Sequence, residues 1–502
     1  MTSPPEASSA EDTVRRTSRW LRAPNETPSA QLVLLCALAA FVACGVVDVA
    51  QFQDPFVRHD DFCVALGDAD AYYGKTLSEG RWLNWVWALR PGPFNLHVLW
   101  YSYMAAWALF SGVVGASLAP RGRAHIAVFL AVTIAFAPQM ANMSRWFGTM
   151  VPGIAIMAAY AAIAAFGSPR ARTVALFVFV PLGLMTHGGS PLIMVAVALG
   201  LGGWSGALAE LAVFALAFVA AFAESIGLIY TLNYFAHGHF GVAIAEWRHP
   251  SPAASLGEVL QRIASVGSWL IELLTGMTHL PATHIAPVAL VAAVALGVRA
   301  PSVALRLALA LALGTAINGA IVVSTGIATP FRGTYFLWPL AVIGVYQLAR
   351  ATPSFIERGL SIALLCFLFL VGGFHLYLFD GHFSEFQVDS RALADTVKPV
   401  FTAPDEPLYV LGDPRELPHG GYVVFSSLAL QYRLALLLDR KIVVCFNAAN
   451  DCAFLEPQRT QLPAYPAPGA IIHLPDSGVV VRLADTPADA DSRLDIEPGL
   501  FR

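Results

Sequence analysis

Long apolar runs dominate this chain and limit what it can fold into. Between residues 30 and 380 they follow one another with mostly short polar breaks, and roughly 20 apolar residues suffice to cross a bilayer as a helix. Of the 502 residues, 57% are hydrophobic and 13% are charged, against roughly 25% charged in a soluble domain. One soluble core cannot bury that much apolar surface. The sequence therefore argues against a soluble enzyme or a disordered regulator and predicts an all-α polytopic membrane protein.

The runs predict about eleven transmembrane helices. They cover residues 30–50, 94–119, 124–141, 151–167, 173–187, 191–205, 207–231, 285–299, 303–323, 334–350 and 359–379. The fifth, sixth and eighth runs are short, and such lengths also suit broken or re-entrant helices. The first run is interpreted as an uncleaved anchor rather than a signal peptide, because no clean small-x-small cleavage site precedes the acidic loop after it.

Arginine positions predict the orientation. They lie in the N-terminal tail, residues 1–29, and in short loops: Arg15, Arg16, Arg19, Arg22, Arg121, Arg123, Arg170, Arg172, Arg299, Arg350 and Arg358. Eleven spans with the N-terminus inside place all of them on the cytoplasmic side, as the positive-inside rule expects. Residues 30–380 then form the membrane body and residues 381–502 lie outside. We expect the C-terminal domain to lie in a periplasm or its equivalent.

The segment 381–502 has a soluble composition and a different periodicity. Short apolar stretches predict a helix at 388–397, strands at 408–411, 423–425, 442–445, 471–474 and 479–483, and a helix at 426–438. These elements predict a small α/β domain. Cys445 and Cys452 predict a disulfide, since the compartment is expected to be oxidising, whereas a metal site lacks a second Cys or His pair nearby.

The first long outside loop, residues 51–93, carries adjacent carboxylates at Asp60 and Asp61. One of them can act as a general base toward a sugar hydroxyl while the other orients it or binds a cation. The alternative is a solvated acidic loop without a catalytic role.

Arg145 and Arg332 lie in short outside turns, against the local charge rule. Guanidinium groups match phosphate oxygens bidentately, so both are candidate phosphate ligands. The alternative is that each pairs with an acidic residue of the first loop. His187 ends a short span and is either a ligand or a buried histidine with satisfied hydrogen bonds.

Glu224 lies inside the seventh run, where an ionisable group is a candidate for function. The alternative is a protonated carboxyl packed against Ser225. The second long outside loop, residues 232–284, adds Glu246 and Arg248 as candidate substrate-binding residues, and its later half predicts an interfacial helix.

Two stretches of the first loop carry a resemblance. His-Asp-Asp-Phe-Cys at 59–63 is followed by Ser-Glu-Gly-Arg-Trp-Leu at 78–83. The chain thereby resembles the Gtr-type glucosyltransferases that decorate bacterial O-antigen in lipopolysaccharide, and more broadly the GT-C membrane glycosyltransferases. Asp60 and Asp61 stand where that family has its acidic pair, and Gly80 and Arg81 where it has a Gly-Arg.

The resemblance implies transfer of a sugar from a polyprenyl phosphate to a glycan or lipid acceptor in the cell envelope, with one loop Asp as the base. Membrane lipid and these substrates are the expected partners, and no cofactor is required, although a divalent cation would assist. Nucleic acid is not expected, because the net charge of −4 offers no basic surface. The rival functions are a transporter or flippase for a lipid-linked sugar and a non-catalytic assembly subunit of the cell envelope.

We expect a topology reporter fused after residue 390 to be active only in the periplasm, because an odd number of spans places that residue opposite the cytoplasmic arginines. Alkaline phosphatase and green fluorescent protein fusions at this position measure the side directly. Cytoplasmic activity would contradict the predicted topology.

Overall fold

The computed structural model describes residues 27–56, 61, 69–89, 95–327, 329–420, 426–446, 448–475 and 477–485. Asp60 and the strand predicted at 423–425 lie outside these residues. The helices before the C-terminal sheet are α1 Ala30–Val47, α2 Val49–Gln53, α3 Ala69–Glu79, α4 Trp82–Ala88, α5 Leu96–Leu118, α6 Ala124–Ala135, α7 Pro138–Met143, α8 Phe147–Phe166, α9 Pro169–Leu184, α10 Ser190–Gly200, α11 Leu208–His237, α12 Leu256–Thr278, α13 Ala282–Arg299, α14 Pro301–Thr325, α15 Leu337–Ala351 and α16 Phe355–Val397.

Among the described residues, seven helices are long and apolar enough to cross a membrane, namely α1, α5, α8, α11, α13, α14 and α16. The protein is therefore a helical membrane protein. The other four predicted spans form the helices α6, α9, α10 and α15, which have 12, 16, 11 and 15 residues. These helices are shorter than the roughly 17 to 25 residues of a spanning helix, so the count of eleven is not confirmed.

Residues 69–89 of the first long loop form two helices, α3 and α4, rather than one continuous helix. The break falls at Gly80, whose φ of +71° is a left-handed conformation that glycine adopts without strain. A Cβ at this position would lie 2.8 Å from Cγ2 of Ile229 on α11. Gly80 thus lets the loop turn sharply and lie directly against α11.

The predicted domain boundary at residue 380 lies inside α16, which runs unbroken for 43 residues. The helix predicted at 388–397 is the last part of this long helix. The sequence between 380 and 397 contains no proline that would end a helix. One continuous helix therefore leads from the membrane body to the C-terminal domain.

The C-terminal domain contains a four-stranded sheet of strands β1 Leu408–Leu411, β2 Ile442–Val444, β3 Ile471–Leu474 and β4 Gly478–Arg482. The order is β2-β1-β4-β3, with β1 parallel to both neighbours and β3 antiparallel to β4. The predicted helix at 426–438 is present as α17, Ser426–Leu438. It packs on β2 and on α16, and a disulfide joins Cys445 to Cys452.

A buried ion network ties three parts of the body together. Arg145, which has no exposed surface, donates through Nη1 and Nη2 to the two carboxylate oxygens of Asp48 at 3.2 and 3.1 Å. Nη2 also lies 3.4 Å from Oδ1 of Asp380. The guanidinium stands over the rings of Phe379 and Phe383, 5.6 and 5.2 Å from their centroids. Arg145 thereby joins the end of α1, the turn before α8, and α16.

We expect Arg145→Ala to destabilise the protein by about 3–5 kcal/mol, because it leaves two buried carboxylates without their cation. Thermal unfolding of the detergent-solubilised protein measures the effect as a fall in Tm. The matched control is Arg299→Ala, which removes a half-exposed pair with Glu357 at 3.0 Å and should change Tm little. Equal Tm values for the two variants would contradict the assigned role.

Candidate functional site

Several separate segments meet at one end of the helix bundle, which we call the loop end because it carries the loop 51–93. The backbone N–H of Leu83 in α4 donates to the carbonyl of Met185 at 3.2 Å. Nδ2 of the neighbouring Asn84 donates to the carbonyl of Thr186 at 3.0 Å. These bonds fasten the loop to the turn that joins α9 and α10.

The same turn lies against the segment before α15. A Cβ at Gly189 would lie 2.6 Å from the ring of Tyr335 and 2.8 Å from the carbonyl oxygen of Gly333. Arg332, in the short 3-10 helix Phe331–Thr334, stacks over the ring of Trp146, 5.1 Å from its centroid. Trp146 directly precedes α8, so the loop end also includes the start of that helix.

Asp61 is fully buried at the N-terminus of α8. Its Oδ2 accepts from the backbone N–H of Gly148 at 2.6 Å, and its Oδ1 accepts from that of Thr149 at 2.5 Å. A carboxylate satisfies the unpaired N–H groups of a helix start and is favoured by the helix dipole. Trp87 also contacts this helix start, donating from Nε1 to the carbonyl of Gly148 at 3.0 Å. Asp61 therefore anchors the first loop on α8.

Arg81 and Arg248 come together on one carboxylate. Nε of Arg81 lies 2.6 Å from Oε2 of Glu79, and Nη2 of Arg248 lies 2.6 Å from Oε1 of the same residue. Glu79 ends α3, whereas Arg248 belongs to the second long loop. The two long loops are thus joined at this point.

His187 lies in the turn after α9 and receives the backbone N–H of Gly189 on Nδ1 at 3.2 Å. Burial, together with the positive charges of Arg81 and Arg332, lowers the pKa of His187 to about 3. The imidazole is therefore neutral near pH 7, and the bond from Gly189 assigns its proton to Nε2. Met185, two residues before His187, accepts from Leu83, two residues after Arg81. The ring of His187 lies 5.7 Å from the ring of Tyr335, three residues after Arg332. The segments that carry these three residues are therefore neighbours.

Three other predicted site residues, Arg145, Glu224 and Glu246, have different surroundings. Arg145 is enclosed by Asp48 and Asp380, so it presents no surface to a substrate. The alternative prediction was that Arg145 pairs with an acidic residue of the first loop. Arg145 does pair with carboxylates, but neither Asp48 nor Asp380 belongs to that loop. Glu224 is exposed on the surface of α11. Its neighbour Ser225 is buried and donates to the carbonyl of Ala221 at 2.6 Å. Glu246 is exposed at the start of the short 3-10 helix Glu246–Arg248.

Glu79, Asn84 and Tyr335 belong to the cluster but were not predicted as site residues. The hydroxyl oxygen of Tyr335 lies 3.1 Å from Oγ of Ser190 and 3.5 Å from Nδ1 of His187. Glu79 belongs to the Ser-Glu-Gly-Arg-Trp-Leu stretch at 78–83 that carries the resemblance. That stretch was the sequence signal that could have identified Glu79. Asn84 and Tyr335 are buried polar residues in apolar surroundings, and nothing in their spacing indicates which loop they contact.

Within the described ranges, no group of three or more His, Cys, Asp or Glu side chains is arranged to hold a metal ion. No protein-family model matches the chain, and no curated protein is significantly similar to it.

We expect His187→Gln to weaken the dependence of stability on pH. The unfolded chain protonates this histidine near its ordinary pKa of about 6.5, whereas the folded chain does so only near 3. Between these values the unfolded state binds more protons, so stability rises with pH and is lost on acidification. The Tm of the variant should therefore fall less than that of the wild type between about pH 7 and about pH 5.

The control for this measurement is His125→Gln, which changes an exposed histidine at the start of α6. Its Tm profile should follow the wild type. If the Tm of both variants depended on pH as steeply as that of the wild type, His187 would be shown to ionise normally.

Proposed function

We propose that this protein is a membrane glycosyltransferase of the GT-C type, which moves a sugar from a polyprenyl phosphate to a glycan or lipid acceptor in the cell envelope. The observation that carries the proposal is the meeting, at the loop end, of the segments that carry Arg81, Arg248, Arg332 and His187. Guanidinium groups are the best match for phosphate oxygens, and the cluster lies where the first loop meets the bundle.

The proposed roles divide between phosphate binding and proton transfer. Arg332 and Arg81 bind the donor phosphate, and His187 donates from Nε2 to one of its oxygens. Because Asp61 uses both oxygens to accept from α8, we assign the base to its neighbour Asp60. The acceptor oxygen bonds to the anomeric carbon, the bond from that carbon to the phosphate oxygen breaks, and the acceptor proton passes to the carboxylate.

The proposal includes the predicted location. Eleven spans with the N-terminus inside place the loop end and the C-terminal domain in the periplasm of a bacterial inner membrane. Support comes from the arginine distribution and from the shared position of the loop and the C-terminal domain: Asp54, at the start of the loop, pairs with Arg433 of α17 at 2.5 Å. Both must therefore lie on the same side of the membrane.

The test is sugar transfer in proteoliposomes that contain undecaprenyl-phosphate glucose, with purified O-antigen glycan as the acceptor. We expect Asp60→Asn to lower turnover by about 10²–10⁴-fold, since an amide cannot accept the proton. Arg332→Ala should raise the donor KM by about 10- to 100-fold, because a charge-assisted hydrogen bond to phosphate is lost. Arg299→Ala, far from the loop, is the matched control and should transfer normally.

The variant Asp61→Asn distinguishes the role of Asp61 from that of Asp60. It places an amide N–H against the backbone N–H groups of α8, so we expect a lower Tm with this variant and an unchanged one with Asp60→Asn. Lost turnover with unchanged Tm in Asp61→Asn, beside normal turnover in Asp60→Asn, would reverse the assignment. Normal turnover in both would overturn the catalytic role of the pair.

A further inference from the structure

A second candidate site lies between the membrane body and the C-terminal domain, away from the arginine cluster. It is a cavity of about 220 Å³. Its lining comes from the start of the first loop, the start of α5 and one face of α17, and consists of Asp54, Pro55, Phe56, Asn95, Leu96, His97, Arg433, Leu436 and Leu437. Clefts between domains are common places for small ligands.

The charged groups of this cavity neutralise each other. The side chain of Arg433 is 5% exposed, and its Nη2 lies 2.5 Å from Oδ2 of Asp54. Nη2 of Arg391 lies 2.9 Å from the same oxygen. Nε of Arg433 donates to Oγ of Ser390 at 2.5 Å. Burial alone would raise the pKa of Asp54, but the hydrogen bonds and charges of Arg433 and Arg391 outweigh it and lower the pKa. Arg433 is both paired with Asp54 and almost fully buried, so it has little exposed surface left to bind a phosphate.

Neutral hydrogen-bonding groups lie beside this pair. Oδ1 of Asn95 accepts the backbone N–H of His97 at 2.9 Å and caps α5, which leaves the Nδ2 amide group to donate. Nε2 of His97 lies 3.2 Å from the carbonyl oxygen of Gln53, so it donates and Nδ1 is left to accept. Asn95 and His97 thus bring one donor and one acceptor to the lining of the cavity.

The other lining residues are apolar, with Phe56, Leu436 and Leu437 among them. A pyranose ring has the matching character, because its hydroxyl groups lie at the edge and its C–H groups on the faces. Pockets for drug-sized ligands measure roughly 300–1,000 Å³, so the observed cavity of about 220 Å³ suits something smaller, such as one sugar ring.

We propose that this cavity binds one neutral sugar residue of the acceptor glycan. Its role as an acceptor site rests on the proposed transferase function. Phe56 precedes Asp61 by five residues, and five extended residues span at most about 18 Å. A sugar in the cavity therefore lies within a short oligosaccharide's reach of the proposed catalytic loop, and the C-terminal domain contributes three of the nine lining residues.

The experiment measures binding by saturation-transfer difference NMR with the full chain in lipid nanodiscs. The probes are methyl glucoside, methyl galactoside, N-acetylglucosamine and, as a free lipid headgroup, glycerol 1-phosphate. We expect at least one sugar to bind with a Kd in the millimolar range. Leu436→Trp fills the cavity and should weaken the binding of that sugar at least about tenfold. Val388→Trp, at an exposed position on α16, is the matched control and should bind normally.

Asn95→Asp is the second variant, because it keeps the oxygen that caps α5 and removes the amide donor. It should weaken sugar binding while Tm stays at the wild-type value. Absence of any sugar signal in the wild type would overturn the proposal, as would equal sugar binding in Leu436→Trp and Val388→Trp. Stronger binding of glycerol 1-phosphate than of every sugar would assign the cavity to a lipid headgroup instead.

The transfer assay distinguishes this proposal from the transferase function. If sugars bind as expected but no sugar is transferred from undecaprenyl-phosphate glucose, the cavity stands as a glycan site and the transferase function fails. If transfer proceeds and Leu436→Trp leaves the acceptor KM unchanged, the transferase function stands and the cavity proposal fails.

Discussion

The ion network around Arg145 is the interaction on which the arrangement of the loop end depends. One buried guanidinium connects Asp48 at the end of α1 with Asp380 in α16, and its own backbone leads directly into Trp146 and α8. Burying three charged groups is costly unless they stay together. The network therefore fixes the position of α8, and α8 in turn provides the N–H groups that hold Asp61 and the ring that holds Arg332.

From that base the first loop is fastened at several points of different chemistry. Asp61 binds the start of α8, Leu83 and Asn84 bind the turn after α9, and Gly80 fits against α11. Each contact joins the loop to a different helix or turn. The first loop, which carries Arg81, is thus held in place by hydrogen bonds to backbone groups and by close packing at several points.

The sequence predicts the local elements well, because apolar periodicity, glycine and proline act over a few residues. The helix at 426–438 and the helix in the later half of the second long loop, present as α12, are of this kind, as are the strands of the small sheet within the described residues. The sequence also singled out Arg81, Arg248, Arg332 and His187, whose segments meet at the loop end. It could not predict that Arg145 is enclosed by Asp48 and Asp380, since these partners are 97 and 235 residues away.

The long helix α16 has a mechanical consequence. At 1.5 Å per residue its 43 residues extend for about 65 Å, roughly twice the hydrocarbon thickness of a bilayer. No break separates the part near Glu357 from the part that contacts the first loop and α17. A rotation of the C-terminal domain about this axis must therefore turn the helix inside the membrane as well, so that the domain and the spanning helix move as one rigid rod.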